Sequence, residues 1–69
     1  MRRMDKHEAV ALIEMAGGDA AFARLLGIAE SQGFQQRVNN WKRRGIPARV
    51  VLEHQLVLEA LRRKLRTAA

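Results

Sequence analysis

The stretch that decides the fold is residues 19–47, which read DAAFARLLGIAESQGFQQRVNNWKRRGIP. Glycine costs about 1 kcal/mol relative to alanine inside a helix and favours the left-handed conformation that ends one. Gly27 and Gly45 therefore delimit two helical segments, a short one over 19–26 and a longer one over 34–44.

The apolar residues of both segments recur at helical spacing. Those that we predict to be buried are Phe22, Leu25 and Leu26 in the first helix and Phe34, Val38 and Trp41 in the second. Ala23 is small enough to let another helix approach closely. Residues 28–33 form the connector, unless Ser31 caps an earlier start of the second helix.

The flanking segments are also predicted to be helical. Asp5 is a candidate N-cap, and Glu8 is the returning carboxylate of a capping box that opens a helix over 6–16. Pro47 suits the first position of a further helical segment, 47–66, because its missing N–H needs no partner there. Segment 47–66 is one long amphipathic helix, or two helices broken near 53–55.

Length and composition favour one all-α domain covering residues 1–69, with four to five helices. Only three of the 69 residues are aromatic, so the core must consist mainly of aliphatic side chains and alanine. A domain this small buries a limited share of its surface, and it has no cysteine for a disulfide. A second copy of the chain is the expected additional source of buried surface.

The side chains that support catalysis are scarce. Ser31 and Thr67 are the only hydroxyl residues, and the two histidines, His7 and His54, lie far apart in sequence. We therefore expect no enzyme, no metal, no cofactor and no small-molecule substrate. The longest apolar run, 9–13, is too short to cross a bilayer, so we expect a cytoplasmic protein without a membrane partner.

Positive charge is concentrated in the C-terminal half. Residues 37–69 hold nine basic and two acidic residues, a net charge of +7, whereas residues 1–36 hold four basic and five acidic ones. Such asymmetry favours a polyanionic partner, because each cation that neutralises a phosphate releases a condensed counterion. A solubilising surface is the alternative.

The second helix of the 19–47 stretch has a polar face with an unusual composition. It carries four uncharged amides together with cations, and no acidic residue occurs between Glu30 and Glu53. Asn and Gln can bond adenine bidentately, and Arg or Lys can bond guanine, in a major groove that admits a helix. This face is therefore predicted to bind DNA.

The order of these features resembles the helix-turn-helix of phage Cro repressors and YdaS-like antitoxin regulators. The residues that carry the resemblance are 17–28, GGDAAFARLLGI, followed by Val38, Trp41, Lys42, Arg43, Gly45, Ile46 and Pro47. The resemblance implies a lambda-repressor-like fold with a helix-turn-helix over about 19–44. It also implies that the 19–26 helix crosses the DNA backbone while the 34–44 helix lies in the major groove.

The resemblance assigns roles to individual residues. Base reading falls to Gln35, Gln36, Asn39, Asn40 and Arg37, of which Arg37 is also a candidate for a phosphate contact. Phosphate contacts fall to Lys42, Arg43, Arg44 and Arg49, and to the backbone N–H groups of Ala20 and Ala21. Arg2 and Arg3 are weaker phosphate candidates on a mobile N-terminal arm. Trp41 is expected to be a core anchor, and the histidines have no assigned role.

Two features depart from the family pattern. Trp41 follows Gly27 at a spacing roughly five residues longer than usual, so the extra residues lengthen either the turn or the recognition helix. Asp19 stands where the family often has a glutamine that helps hold a phosphate. An aspartate there cannot donate a hydrogen bond and would repel the phosphate.

Leu58, Leu61 and Leu65 form an apolar stripe that closes the monomer core or, as we favour, pairs with a second subunit. A homodimer would bind a two-fold DNA operator whose half-sites lie about 34 Å apart. The leading hypothesis is a phage or prophage Cro-type transcriptional repressor. The alternatives are the antitoxin or regulator of a toxin–antitoxin pair and a basic binder of anionic membrane surfaces.

Overall fold

The computed structural model describes residues 3–68, which form five α-helices and one isolated antiparallel bridge. The helices are α1 (Lys6–Ala16), α2 (Asp19–Leu26), α3 (Phe34–Arg44), α4 (Ala48–Glu53) and α5 (Gln55–Ala68). The predicted all-α class and the helix count are confirmed. Helix α1 is central, because α2, α3 and α5 all pack against it.

At the N-terminus of α1, the structure contains one of the two hydrogen bonds that a capping box requires. The Asp5 carboxylate accepts a hydrogen bond from the Glu8 backbone N–H at 3.0 Å, as predicted. The prediction that the Glu8 carboxylate completes a capping box is wrong. This carboxylate accepts a hydrogen bond from the Arg62 guanidinium instead, with Nε–Oε2 at 2.7 Å. Helix α5 passes beside the first turn of α1, and this contact ties the two helices together.

Helix α2 begins and ends as predicted but presents a different buried face. Phe22, Ala23 and Leu26 are buried, whereas Leu25 is 49% exposed. The prediction that Leu25 belongs to the buried stripe is therefore wrong. The buried face is centred on Leu26, between Phe22 and Ala23, and at about 100° per residue Leu25 lies outside it.

The connector between α2 and α3 covers residues 27–33. Its Ser31 hydroxyl donates to the Ile28 carbonyl at 2.6 Å, and the Ser31 N–H donates to the same oxygen. Ser31 therefore closes a local turn and does not cap α3. Gly33, with φ of +79°, immediately precedes the first residue of α3. Helix α3 keeps its predicted bounds of 34–44.

The C-terminal segment is two helices, because His54 interrupts it between α4 and α5. Pro47 is the N-cap residue of α4, so this helix begins at Ala48, one position later than predicted. Leu58 and Leu61 are 1% and 4% exposed, and Leu65 packs partly buried against the core. The structure corrects their assignment to a dimer interface, because these side chains already close the monomer core.

The core is one contiguous cluster to which all five helices and the bridge contribute. Its buried members are Met4, Ala9, Leu12, Ile13, Phe22, Leu26, Val38, Trp41, Ile46, Val51, Leu58 and Leu61. Met4 and Ile46 exchange two backbone hydrogen bonds of 2.8 Å, which fixes the chain before α1 against the exit of α3. Within residues 3–68, no helix combines the length and apolarity that a bilayer crossing needs.

Candidate nucleic-acid interface

Helix α3 is anchored through two buried side chains. Val38 and Trp41 are 0% and 5% exposed. The Trp41 ring meets the Phe22 ring of α2 edge to face, with centroids 6.2 Å apart and planes at 79°. This arrangement is favourable for aromatic pairs. Trp41 is therefore a core anchor, as predicted, and it fixes the orientation of α3 relative to α2.

The opposite face of α3 points away from the core. All four amide residues, Gln35, Gln36, Asn39 and Asn40, are exposed. Since successive residues are about 100° apart around a helix, these four and Arg43 occupy an arc of about 140°. We call this arc the amide face. Its side chains present donors and acceptors to the surroundings from a helix whose inner side is fixed.

The cations of α3 differ in what they contact. Lys42 Nζ lies 3.0 Å from Asp19 Oδ2, so its charge is paired with the first residue of α2. The Arg37 guanidinium lies over the Trp41 ring, 5.6 Å from the centroid, in a cation–π contact. Arg43 and Arg44 are exposed. Among these predicted contact residues, Arg43 is the cation within the amide face itself.

The N-terminus of α2 offers backbone donors near Lys42. The first hydrogen bond within α2 runs from the Phe22 N–H to the Gly18 carbonyl, so the N–H groups of Ala20 and Ala21 precede the helical ladder. The negative charge of Asp19, which the sequence places unfavourably for a phosphate, is offset by Lys42. The predicted donors and this neutralised carboxylate lie at the same end of α2.

The remaining predicted phosphate contacts occupy the edge of this region. Arg49 pairs with Glu53 of its own helix at 3.2 Å, and both side chains are largely exposed. Arg3 is not on a mobile arm, because its Nη2 donates to the Arg44 carbonyl at 2.8 Å beside the Met4–Ile46 bridge. Arg2 lies outside the described residues.

A cleft at the C-terminal end of α3 was not predicted. It has a volume of about 320 Å³ and is lined by Arg3, Arg37, Asn40, Trp41, Arg44, Gly45 and Pro47. We call it the arginine cleft. Arg37 and Arg44 share α3, whereas Arg3 joins them only through the pairing of Met4 with Ile46, residues that lie far apart in the chain.

The described residues contain no buried polar or charged side chain, so every ionisable group has access to solvent. In the same part of the chain, no three histidine or acidic side chains come together where they could hold a metal ion. The pKa of Asp5 is lowered, chiefly because the Glu8 backbone N–H donates to its carboxylate. The arrangement is suited to binding through exposed amides and guanidinium groups.

Comparisons of this chain with protein-family models, with curated proteins and with solved structures found no match.

Proposed function

We propose that this chain is a sequence-specific DNA-binding regulator that reads double-stranded DNA with the amide face of α3. The observation that carries the proposal is the division of α3 into two faces. Val38 and Trp41 hold its inner face in the core, while the four amides and Arg43 are exposed on the other side. A helix held in this way can enter a major groove without losing its position on the domain.

In this proposal, α2, residues 27–33 and α3 act as a helix-turn-helix of the Cro-like and YdaS-like type. Helix α2 crosses the DNA backbone and α3 lies in the groove. The edge-to-face contact between Phe22 and Trp41 sets the relative placement of the two helices. Gln35 and Gln36 are exposed at the start of α3, which is where the proposal has them read base edges.

The proposed phosphate contacts lie within the amide face and beside it. Arg43 is exposed within it, and Arg49 lies beyond the exit of α3 on α4. The N–H groups of Ala20 and Ala21 add donors at the positive end of the α2 dipole. Lys42 serves mainly to neutralise Asp19, so a phosphate can approach this end of α2.

We further propose that the chain binds its operator as a homodimer through the outer side of the α4–α5 elbow. Leu52 and Leu56 are 59% and 85% exposed there. Two copies related by a two-fold axis near these leucines would bury them against each other.

As a regulator of this kind, the protein would act by occupying an operator and excluding RNA polymerase. The experiment that tests DNA reading is selection of bound duplexes from a random pool by the purified chain. We expect one enriched sequence of limited length, with symmetric half-sites if the dimer forms on DNA.

The matched control for this selection is the Gln36→Ala, Asn39→Ala double variant, which keeps the net charge. We expect it to retain non-specific duplexes without enriching the same sequence. Failure of the unmodified chain to enrich any sequence would refute the proposal. Equal binding of both proteins to anionic vesicles, together with that failure, would favour a membrane-surface binder instead.

A further inference from the structure

We infer that the arginine cleft binds a single phosphate group. Three guanidinium groups, those of Arg3, Arg37 and Arg44, line one cleft of about 320 Å³ together with the amide of Asn40. No carboxylate lines it. This concentration of positive charge and N–H donors fits a tetrahedral oxyanion, which arginine can bind with two parallel hydrogen bonds.

Two of the three arginines are positioned by contacts that leave their charge uncompensated. Arg3 donates to the Arg44 backbone carbonyl at 2.8 Å, and the Arg37 guanidinium rests over the Trp41 ring. Neither a neutral carbonyl nor an indole ring cancels a positive charge. Both guanidinium groups therefore keep their charge and part of their N–H donors for a ligand.

A second basic cleft shows what is different here. Arg62, Arg63 and Arg66 line a cleft on α5, but Glu59 lines it too, and Arg62 is engaged by Glu8. That cleft contains its own counter-charge. The arginine cleft has none among its lining residues, so it has more to gain from a bound anion.

The backbone around the arginine cleft is fixed. Gly45 adopts φ of +93° at the base of the cleft, and the Met4–Ile46 bridge holds the preceding and following segments together. Asn40 belongs to both the amide face and the cleft lining. A phosphate in the cleft would therefore sit at the border of the surface proposed to read bases.

The phosphate can come from the backbone of duplex DNA or from free phosphate. A duplex source rests on the proposed function, whereas binding of a phosphate group to the cleft does not. We expect the duplex source, because one backbone phosphate held here would fix how α3 enters the groove.

The first arm of the test uses the fluorescence of Trp41, the only tryptophan in the chain and part of the cleft lining. Sodium phosphate is titrated into the full chain at constant ionic strength, with sodium chloride as the reference. We expect a saturable change that is about tenfold weaker in Arg44→Gln and unchanged in Arg66→Gln, which loses the same charge outside the cleft.

The second arm measures binding to a duplex of arbitrary sequence as salt is varied. We expect the slope of log K against log salt to fall by about one in Arg44→Gln and to stay nearer the original value in Arg66→Gln. Arg44→Lys keeps the charge without the planar fork and should recover this slope but not full affinity. Circular dichroism confirms that each variant is folded.

A selective loss in Arg44→Gln in either arm supports the phosphate site. A loss in the fluorescence arm alone assigns the cleft to free phosphate, and a loss in the duplex arm assigns it to the DNA backbone. Equal behaviour of Arg44→Gln and Arg66→Gln in both arms overturns the inference. That result would leave the proposed function standing, because the enrichment of a DNA sequence depends on the amide face.

Discussion

Lys42 Nζ of α3 lies 3.0 Å from Asp19 Oδ2 at the start of α2, and this ion pair joins the two helices on the side where DNA is proposed to bind. The side chains of Lys42 and Asp19 are 33% and 23% exposed, so this pair is less exposed than the Arg49–Glu53 and Arg62–Glu8 pairs. The pair gives a structural role to an aspartate at a position where the family that the sequence resembles often has glutamine. The negative charge of Asp19 is compensated by Lys42 within the domain.

The first prediction concerns the strength of this pair. In a double-mutant cycle with Asp19→Asn and Lys42→Met, we expect a coupling of about 0.5–1 kcal/mol in the free energy of unfolding by urea. The control is the Arg49–Glu53 pair, whose side chains are 88% and 52% exposed and for which we expect about 0.3 kcal/mol. A coupling for Lys42–Asp19 no larger than this control would contradict the prediction.

The second prediction separates base contacts from phosphate contacts on α3. Asn39→Ala or Gln36→Ala should weaken binding to the selected duplex by about 1–3 kcal/mol and relax the base preference. Arg43→Gln should weaken binding to selected and random duplexes alike and reduce the salt slope by about one. Titrations of both duplexes at several salt concentrations measure these effects. Equal losses on both duplexes for the amide variants would sink their assignment as base readers.

The helix ends were predictable because the signals that set them are local. Gly27 and Gly45 stop α2 and α3 where the sequence places them, and Asp5 caps α1. Each signal acts within a few residues, so no knowledge of the tertiary structure is needed.

The exposed amide face could also be predicted, because Val38 and Trp41 mark the inner side of α3 through their spacing alone. The predictions that were wrong concern residues whose burial depends on contacts with distant parts of the chain. Leu25 has the same local pattern as a core residue, and only the packing of α2 on α1 and α3 decides that it stays exposed.

The same limit explains the C-terminal leucines. Leu58 and Leu61 form a stripe that fits a monomer core and a dimer interface equally well in sequence. Helix α5 packs against α1, and the Glu8–Arg62 pair joins the two helices. Leu58 and Leu61 therefore lie in the monomer core. The arginine cleft, likewise, requires Arg3 to meet a helix end more than 40 residues later.

The third prediction concerns the backbone at Gly45. A Cβ at this position would lie 2.2 Å from the Met4 carbonyl oxygen, and φ of +93° is unfavourable for other residues. Gly45→Ala should therefore destabilise the domain by about 2 kcal/mol or more and disturb the Met4–Ile46 bridge.

The control for Gly45→Ala is Gly33→Ala. Gly33 also has positive φ, +79°, but a Cβ there would meet no atom within 4 Å. We expect this variant to cost about 1–2 kcal/mol, from the backbone conformation alone. Thermal and urea unfolding measure both. Equal losses of stability in the two variants would show that the close approach to Met4 adds nothing to the destabilisation.

The fourth prediction concerns acid stability and the cap of α1. The Glu8 backbone N–H holds the pKa of Asp5 below its ordinary value of 3.8. Because the folded state favours the carboxylate, this stabilisation is complete above the ordinary pKa and is lost as the pH falls through the lowered one.

Asp5→Asn keeps a capping side chain but removes this titration. Urea unfolding between pH 2.5 and 6, a range chosen to span the ordinary pKa by about one to two units, compares the two proteins. We expect the stability of Asp5→Asn to fall less steeply with acidification, so that the difference between the proteins narrows toward low pH. Parallel pH profiles would exclude a contribution from Asp5.

The fifth prediction concerns the proposed dimer. If the α4–α5 elbow joins two copies, Leu56 lies in the contact of each, and Leu56→Glu should raise the dimer dissociation constant at least tenfold, since burying a leucine is worth about 1.5–3 kcal/mol. Leu25→Glu, the same change at an exposed leucine of α2, is the control and should leave assembly unchanged.

Leu52→Glu places the same charge at the other exposed leucine of the elbow, so assembly should weaken in this variant as well. Sedimentation equilibrium measures the mass of each variant over a range of protein concentrations. A monomeric mass for the unmodified chain at every concentration, both free and on the selected duplex, would rule out the elbow as a dimer contact.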